Sequence, residues 1–225
     1  MGTLYLVRHG QASFGAADYD QLSALGQRQC QRLGEHWRAR GLRFDAVLIG
    51  TLRRHRQSFD AIAQGLGAES APEVQVVPAL DEYDPAAIVR AVHDGPLAPP
   101  KSPDDVRRHF RLLREGLLAW MEGRTRPEGL PTHAEFMAGI VAALDRVREQ
   151  HLGQRVLVVS SGGPISHAVG HVLGTPPPAV VELNLRIRNS AVSEFAFSER
   201  KHSLVTFNTL PHLEAPGHEE WVTYA

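Results

Sequence analysis

The sequence predicts an α/β fold: a mostly parallel central sheet flanked by helices on both faces, with an antiparallel hairpin at one edge. Two short apolar runs, Leu4-Tyr5-Leu6-Val7 and Val156-Leu157-Val158-Val159, are continuous rather than alternating, the pattern of strands buried on both faces. Strand-like runs alternate with longer helical stretches, which implies crossover connections and parallel pairing. Near the end, Ala191 to Phe197 and Ser203 to Asn208 are separated by five residues, Ser198 to His202. That gap is too short for a crossover and fits a hairpin loop.

The first strand stops at Arg8-His9-Gly10 and gives way to a loop containing glycine and aspartate. Ser23 is placed to cap a helix running to about Arg40, with Leu25, Arg28, Gln29, Arg32, Leu33 and Trp37 on a mixed face. Phe44 to Ile49 reads as a second strand, Arg53 to Leu66 as a helix and Val74 to Val77 as a third strand. Helices are expected over 85–93, 103–123 and 132–150, the last carrying Phe136, Ile140, Ala143, Leu144 and Val147 on one side. Arg155 to Ser160 is the clearest buried strand, and Pro164 suits the first turn of the helix that follows. Leu97 to Pro103 and Thr175 to Pro178 read as connections. The expected organisation is one domain over 1–225, with 97–150 a helical insertion or cap over the strand ends.

Composition narrows the function. With 225 residues, 43% apolar and 22% charged, the chain is large enough for one well-buried core. A net charge of −1 supplies no basic field of the kind that draws proteins to nucleic acid or anionic membranes. The single cysteine, Cys30, excludes an internal disulfide, fits a reducing compartment and reads as a small buried thiol. No apolar run approaches the ~20 residues needed to span a bilayer, and no leader-like pattern precedes the first strand. A cytoplasmic location is therefore expected. Among 12 histidines, the one tidy helical pair, His167 and His171, lacks the glutamate of a zinc-binding His-Glu-x-x-His, so neither metal nor cofactor is expected.

Chemistry concentrates at the strand ends, where open α/β sheets place their ligands. Leu6-Val7-Arg8-His9-Gly10-Gln11-Ala12 closes the first strand. Leu22-Ser23-Ala24-Leu25-Gly26-Gln27-Arg28-Gln29 opens the first helix and is similar to Leu-Thr-x-x-Gly-x-x-Gln. Gly50-Thr51-Leu52-Arg53-Arg54-His55-Arg56-Gln57-Ser58 follows the second strand and is similar to Ser-Pro-Leu-x-Arg-Ala-x-Gln-Thr. Ala79-Leu80-Asp81-Glu82 follows the third, and Ser160-Ser161-Gly162-Gly163 the fourth. In order and spacing these segments resemble the histidine phosphatase superfamily, the phosphoglycerate mutase-like enzymes, from residue 4 to about 170.

The resemblance implies that His9 is the nucleophile, Glu82 the proton donor, and Arg8 and Arg54 the guanidinium groups that hold phosphate. Physical chemistry asks for the same residue types. A phosphoryl group in transfer spreads negative charge over its equatorial oxygens, which planar guanidinium groups hold by paired bonds. A neutral imidazole can attack phosphorus, and a carboxyl group with a raised pKa can protonate the departing alkoxide. The expected partner is a small phosphomonoester.

The pattern breaks at the fourth strand. The family places a second histidine in Val-Val-Ser-His-Gly-Gly, where this chain has Val158-Val159-Ser160-Ser161-Gly162-Gly163. Ser161 can donate one neutral hydrogen bond, and Gly162 opens a helix whose amides would add others, but no cationic donor remains. Reduced activity, or a noncatalytic phosphate- or partner-binding role, follows from that loss. His167 and His171 lie two turns too far into the helix to replace it and are expected at the surface. Glu82-Tyr83-Asp84-Pro85 lacks the glycine-containing continuation of phosphoglycerate mutases, which favours hydrolysis over mutase chemistry. Segment 84–135 is expected to set the substrate's organic part. A serine hydrolase built on Ser160 or Ser161 with His202 or His212 is disfavoured, because the turn lacks the leading glycine of Gly-x-Ser-x-Gly.

Overall fold

In a computed structural model, which describes residues 1–13, 20–67, 72–95 and 102–224, continuous apolar runs lie at the centre of a six-stranded sheet. The strands are β1 (Gly2–Arg8), β2 (Ala46–Ile49), β3 (Val74–Val76), β4 (Arg155–Ser160), β5 (Val192–Phe197) and β6 (His202–Thr209), in the order β3-β2-β4-β1-β5-β6. The first four are mutually parallel, and β5 and β6 add the antiparallel edge. The hairpin loop is four residues, 198–201, because pairing of Phe197 with His202 extends β6 by one position.

The helices are α1 (Ala24–Ala39), α2 (Arg53–Leu66), α3 (Pro85–Arg90), α4 (Pro103–Met121), α5 (His133–Gln150), α6 (Gly162–Leu173) and α7 (Pro177–Arg186). Ser23 caps α1 as expected, its hydroxyl accepting from Gly26 N at 3.0 Å. Thr132 and Glu135 form a reciprocal capping box at the start of α5. α7 was not foreseen, since Thr175 to Pro178 reads as a connection. Pro177 occupies the first turn, where a missing N–H costs nothing, so the proline run opens a helix instead of preventing one.

Two cores follow from the two faces of the sheet. On one face Val7, Val47, Ile49, Leu157 and Val159 pack with Cys30, Leu33 and Trp37 of α1 and Phe59 and Ile62 of α2. Cys30 is fully buried, as its helical position implies. The inward side of α1 differs from the expected face: Gly26, Gln29, Cys30, Leu33, Gly34 and Trp37 are buried, and Arg28 is exposed. Glycine at 26 and 34 lets neighbouring backbone approach closer than any side chain would allow.

On the other face Leu4, Leu6, Leu48, Val156 and Val158 meet Ile140, Ala143, Leu144 and Val147 of α5 and Ile165, Ala168 and Val169 of α6. The helical block 103–150 thus divides. α5 covers the sheet, whereas α4 joins α3 and α7 in a separate cluster of Tyr83, Ile88, Val89, Leu113, Leu117, Trp120 and Val181. The expected connection 97–103 lies mostly outside the described residues.

The α1–α2 contact is a sharp test of this packing. A Cβ on Gly34 would fall 2.1 Å from Ile62 O, a backbone atom that cannot turn aside. Gly34→Ala is expected to destabilise the protein by about 1–3 kcal/mol, despite the better helix propensity of alanine, as read by urea denaturation. A stability equal to or above wild type would show that the two helices can separate freely.

Candidate active site

Pairing register brings the chemistry to one edge of the sheet. In the β1–β4 ladder Arg8 stands opposite Ser160, and in the β2–β4 ladder Ile49 stands opposite Val159. Pairing continues one step beyond, with His9 N donating to Ser160 O at 2.9 Å and Gly50 N to Val159 O at 3.3 Å. The turns after three parallel strands therefore start at the same level.

His9 is buried, at 4% exposure. Its Nδ1 lies 2.7 Å from Gly10 O, which fixes the proton on Nδ1 and leaves the Nε2 lone pair free in the neutral ring. Burial is the main influence pushing its pKa well below the usual histidine value, followed by the positive fields of Arg8 and Arg54 and by His55. The ring is therefore neutral at physiological pH. Its carbonyl accepts from Ser190 N at 3.2 Å and from the Asn189 side chain at 3.4 Å.

Arg54 is turned inward, at 7% exposure, although it belongs to a run of basic residues that resembles a solvated face. The run splits by helical geometry: Arg54 and His55 are buried, while Arg53 and Arg56 are exposed. Asp20 fixes the start of α2, accepting from Arg53 N at 2.8 Å and pairing with Arg54 Nη1 at 2.8 Å. Ser58 Oγ donates to Arg54 O at 2.7 Å and accepts from Gly10 N at 3.1 Å, tying the α2 arginine to the β1 turn. Arg8 Nη1 donates to Ile187 O at 2.6 Å and to Tyr224 O at 2.8 Å, so the C-terminal segment folds back against the site.

Glu82 joins the same group. Its Oε2 accepts from Gly163 N at 3.1 Å, in the first turn of α6, and its Oε1 is buried without a hydrogen-bond partner. Position 163 must be glycine for this contact, because a Cβ would fall 2.1 Å from Glu82 Oε1. Burial raises the Glu82 pKa, opposed by the Gly163 amide and by the charges of Arg54 and Arg8. Beside it opens a cleft lined by Asp81, Tyr83, Leu130, Pro131 and Phe136. Gly162, packed against Asn184 and near Arg8 Nε, completes the turn. All six residues singled out in the sequence, Arg8, His9, Arg54, Glu82, Ser161 and Gly162, thus lie at one end of the sheet.

The sequence model of the histidine phosphatase superfamily (branch 1) matches residues 4–210. The chain belongs to that family. Over 96% of this chain and 97% of the relative, it is 27% identical to a protein of Escherichia coli named as a probable phosphoglycerate mutase. Solved structures with the same fold include a phosphoserine phosphatase mutant from Entamoeba histolytica in complex with phosphoserine, at TM-score 0.66 and 18% identity, covering 95% of this chain and all of that one. Another is the α-ribazole phosphatase of Shigella flexneri, at TM-score 0.61 and 19% identity over 92% of this chain and 96% of that one.

Two histidines of this family member need revision. His171 is exposed as expected, but His167 is buried at 2%, with Nδ1 against Gly163 O at 2.7 Å and its ring among Trp120, His133 and Phe136. α4 and α5 cover it, and their position cannot be read from the α6 segment alone. His55 was passed over altogether. It is fully buried, and its Nε2 lies 2.8 Å from Ser161 Oγ. The signal was available: alanine stands in the corresponding place of the motif.

Buried neutral histidines give the fold a defined acid sensitivity. Burial pushes His55 and His212 down to about 3 and His167 to about 4, whereas the same rings protonate near 6.5 in the unfolded chain. Between those values the unfolded state binds more protons, so the stabilisation is complete above about 6.5 and is lost as pH falls toward the folded values. The slope is roughly 1.4 kcal/mol per pH unit for each ring. The melting temperature is expected to fall steadily from pH 7 to pH 5. A flat profile over that range would mean that the rings are solvated.

Proposed function

We propose that this protein hydrolyses small phosphomonoesters through a phosphohistidine at His9. The reading is carried by one observation: a buried neutral imidazole whose Nε2 keeps its lone pair and a buried carboxyl group of raised pKa lie within the fields of the same two guanidinium groups. The phosphatase names of proteins sharing the fold support the same reaction class.

Arg8, Arg54 and the amides at the start of α6 hold the phosphoryl oxygens. The Nε2 lone pair of His9 attacks phosphorus, the bond from phosphorus to the ester oxygen breaks, and the departing alkoxide takes the proton of Glu82. In the second half, water loses a proton to the Glu82 carboxylate as its oxygen bonds to phosphorus. The P–N bond then breaks, returning its electron pair to His9 and releasing inorganic phosphate. Each element of the pocket has a place in this cycle. Arginine fields that help burial lower the His9 pKa also attract the substrate, while burial raises the pKa of Glu82 toward that of a proton donor. The leaving alcohol faces the cleft of Tyr83, Leu130, Pro131 and Phe136 beside Glu82, and segment 84–135 selects it. No helix among the described residues is long and apolar enough to cross a membrane, and a small soluble substrate in the cytoplasm suits the site.

A phosphoglycerate mutase is the second reading, favoured by the name of the Escherichia coli relative. The Tyr83-Asp84-Pro85 continuation favours hydrolysis: Asp84 caps α3 and Pro85 opens it, so the chain turns away directly after Glu82.

A panel of small phosphomonoesters, with inorganic phosphate release as readout, tests the proposal. His9→Ala is expected to abolish turnover and acid-labile labelling. Glu82→Gln is expected to lower turnover of esters with poor leaving groups by roughly 10²–10⁴-fold and that of para-nitrophenyl phosphate far less, since its phenolate leaves without a proton. Full activity in His9→Ala would refute the mechanism. Conversion of 3-phosphoglycerate to 2-phosphoglycerate faster than phosphate release would select the mutase reading.

A further inference from the structure

Asp81, His55 and Ser161 form a line of polar contacts that no step above uses. Ser161 is the N-cap residue of α6, where a serine hydroxyl ordinarily accepts a hydrogen bond from a first-turn amide, yet it makes none. It turns to His55 instead, with Oγ 2.8 Å from Nε2. Across the ring, His55 Nδ1 makes no hydrogen bond and stands 3.6 Å from Asp81 Oδ1. Asp81 is held by Thr51, whose amide donates to Oδ1 at 2.6 Å and whose hydroxyl donates to Oδ2. The line runs beside the nucleophile, with the rings of His9 and His55 centred 5.9 Å apart. The charged or titratable groups facing the His55 ring are Arg54 on its own helix, Asp81 before Glu82, and His9 at the end of β1.

Four positions on this line depart together from the motif that the chain otherwise follows. Gly50-Thr51 stands for Ser-Pro, His55 for alanine and Ser161 for histidine. The exchanges require one another. A Cβ at position 50 would lie 2.3 Å from both His55 Nδ1 and Asp81 Oδ1, so the ring and the carboxylate use the volume of that side chain. Proline at 51 would have no N–H to give Asp81. With Ser161 Oγ already 2.8 Å from His55, an imidazole at 161 would run into the ring.

Resting on the phosphohistidine reading above, we propose that Ser161 donates a hydrogen bond to the phosphoryl group in transfer, with His55 as its positioning residue and Asp81 orienting the ring. His55 Nε2–H donates to Ser161 Oγ, which leaves the serine hydrogen to point at a phosphoryl oxygen. The ring stays neutral, as its burial requires, so position 161 offers the phosphoryl group one oriented, uncharged donor in place of a cationic imidazole. No bond to serine forms or breaks. The same residue types act as nucleophile, base and orienter in serine hydrolases. In the arrangement proposed here the ring donates to the serine and does not take its proton, so Ser161 is a donor and not a nucleophile.

Turnover of para-nitrophenyl phosphate and affinity for vanadate, measured on the full chain, test the proposal. His55→Ala and Ser161→Ala are each expected to lower kcat roughly ten- to hundred-fold, and the double variant no further, because the two act as one donor. The variant Gly50→Ser/Thr51→Pro/His55→Ala/Ser161→His, which restores the family residue at all four positions, is expected to recover turnover to within several-fold of wild type. Additive losses, an unchanged kcat in His55→Ala, or labelling of Ser161 by a fluorophosphonate would overturn the donor role. Unaltered melting temperatures distinguish a lost donor from a damaged fold. If no phosphomonoester is turned over and no phosphohistidine forms, the phosphatase reading fails by itself. Vanadate affinity then decides the donor role: roughly tenfold weaker binding by His55→Ala supports it, and equal binding refutes it.

Discussion

Parallel pairing of β1 with β4 and of β4 with β2 is the constraint on which the rest depends. Hydrogen bonds in a parallel ladder fix the register of each strand, and a slip of one residue would turn every side chain to the opposite face. Leu4, Leu6, Val156 and Val158 must meet α5 and α6, while Val7, Leu157 and Val159 must meet α1 and α2. Burial on both faces therefore locks the register, and the register sets where the strands end. Arg8-His9, Gly50-Thr51 and Ser160-Ser161 reach the same edge because hydrophobic packing far below them permits no other alignment.

At that edge, burial does opposite things to two titratable groups. It lowers the pKa of His9, helped by Arg8 and Arg54, and raises that of Glu82 against the pull of the Gly163 amide and the same arginines. Both effects come from one cause, the cost of holding a charge away from water. The guanidinium groups are kept in place by oxygen acceptors: Asp20 for Arg54, and the carbonyls of Ile187 and Tyr224 for Arg8. Ser58 links the two halves of the pocket, so one hydroxyl sets the spacing of His9 and Arg54: it lies one helical turn after Arg54 and bonds the glycine after His9.

Much of this was legible along the chain. Strands buried on both faces announce themselves by unbroken branched residues, which mark β1 and β4, whereas the β5–β6 hairpin is legible from its short connection. Helix caps are local as well, so Ser23 and Pro164 marked their helices correctly. α7 is not legible, because a proline run reads as a break and here opens a helix. His167 looked like a surface residue because two turns of α6 contain nothing to show that α4 and α5 lie over it. His55 sat among three arginines, and only the helical phase, read against a sheet not yet assembled, separates its buried side from the solvated one.

The chain's local pattern specifies the family, the order of the strands and of every helix but α7, and which side chains stand at strand ends, because these depend on periodicity and on residues close together in the chain. Tertiary structure alone decided how the vacancy left by a histidine at position 161 is filled. A contact between residues 55 and 161 spans 106 positions, and it exists only because two parallel strands, each pinned by its own hydrophobic faces, deliver the first turn of α2 and the cap of α6 to the same place.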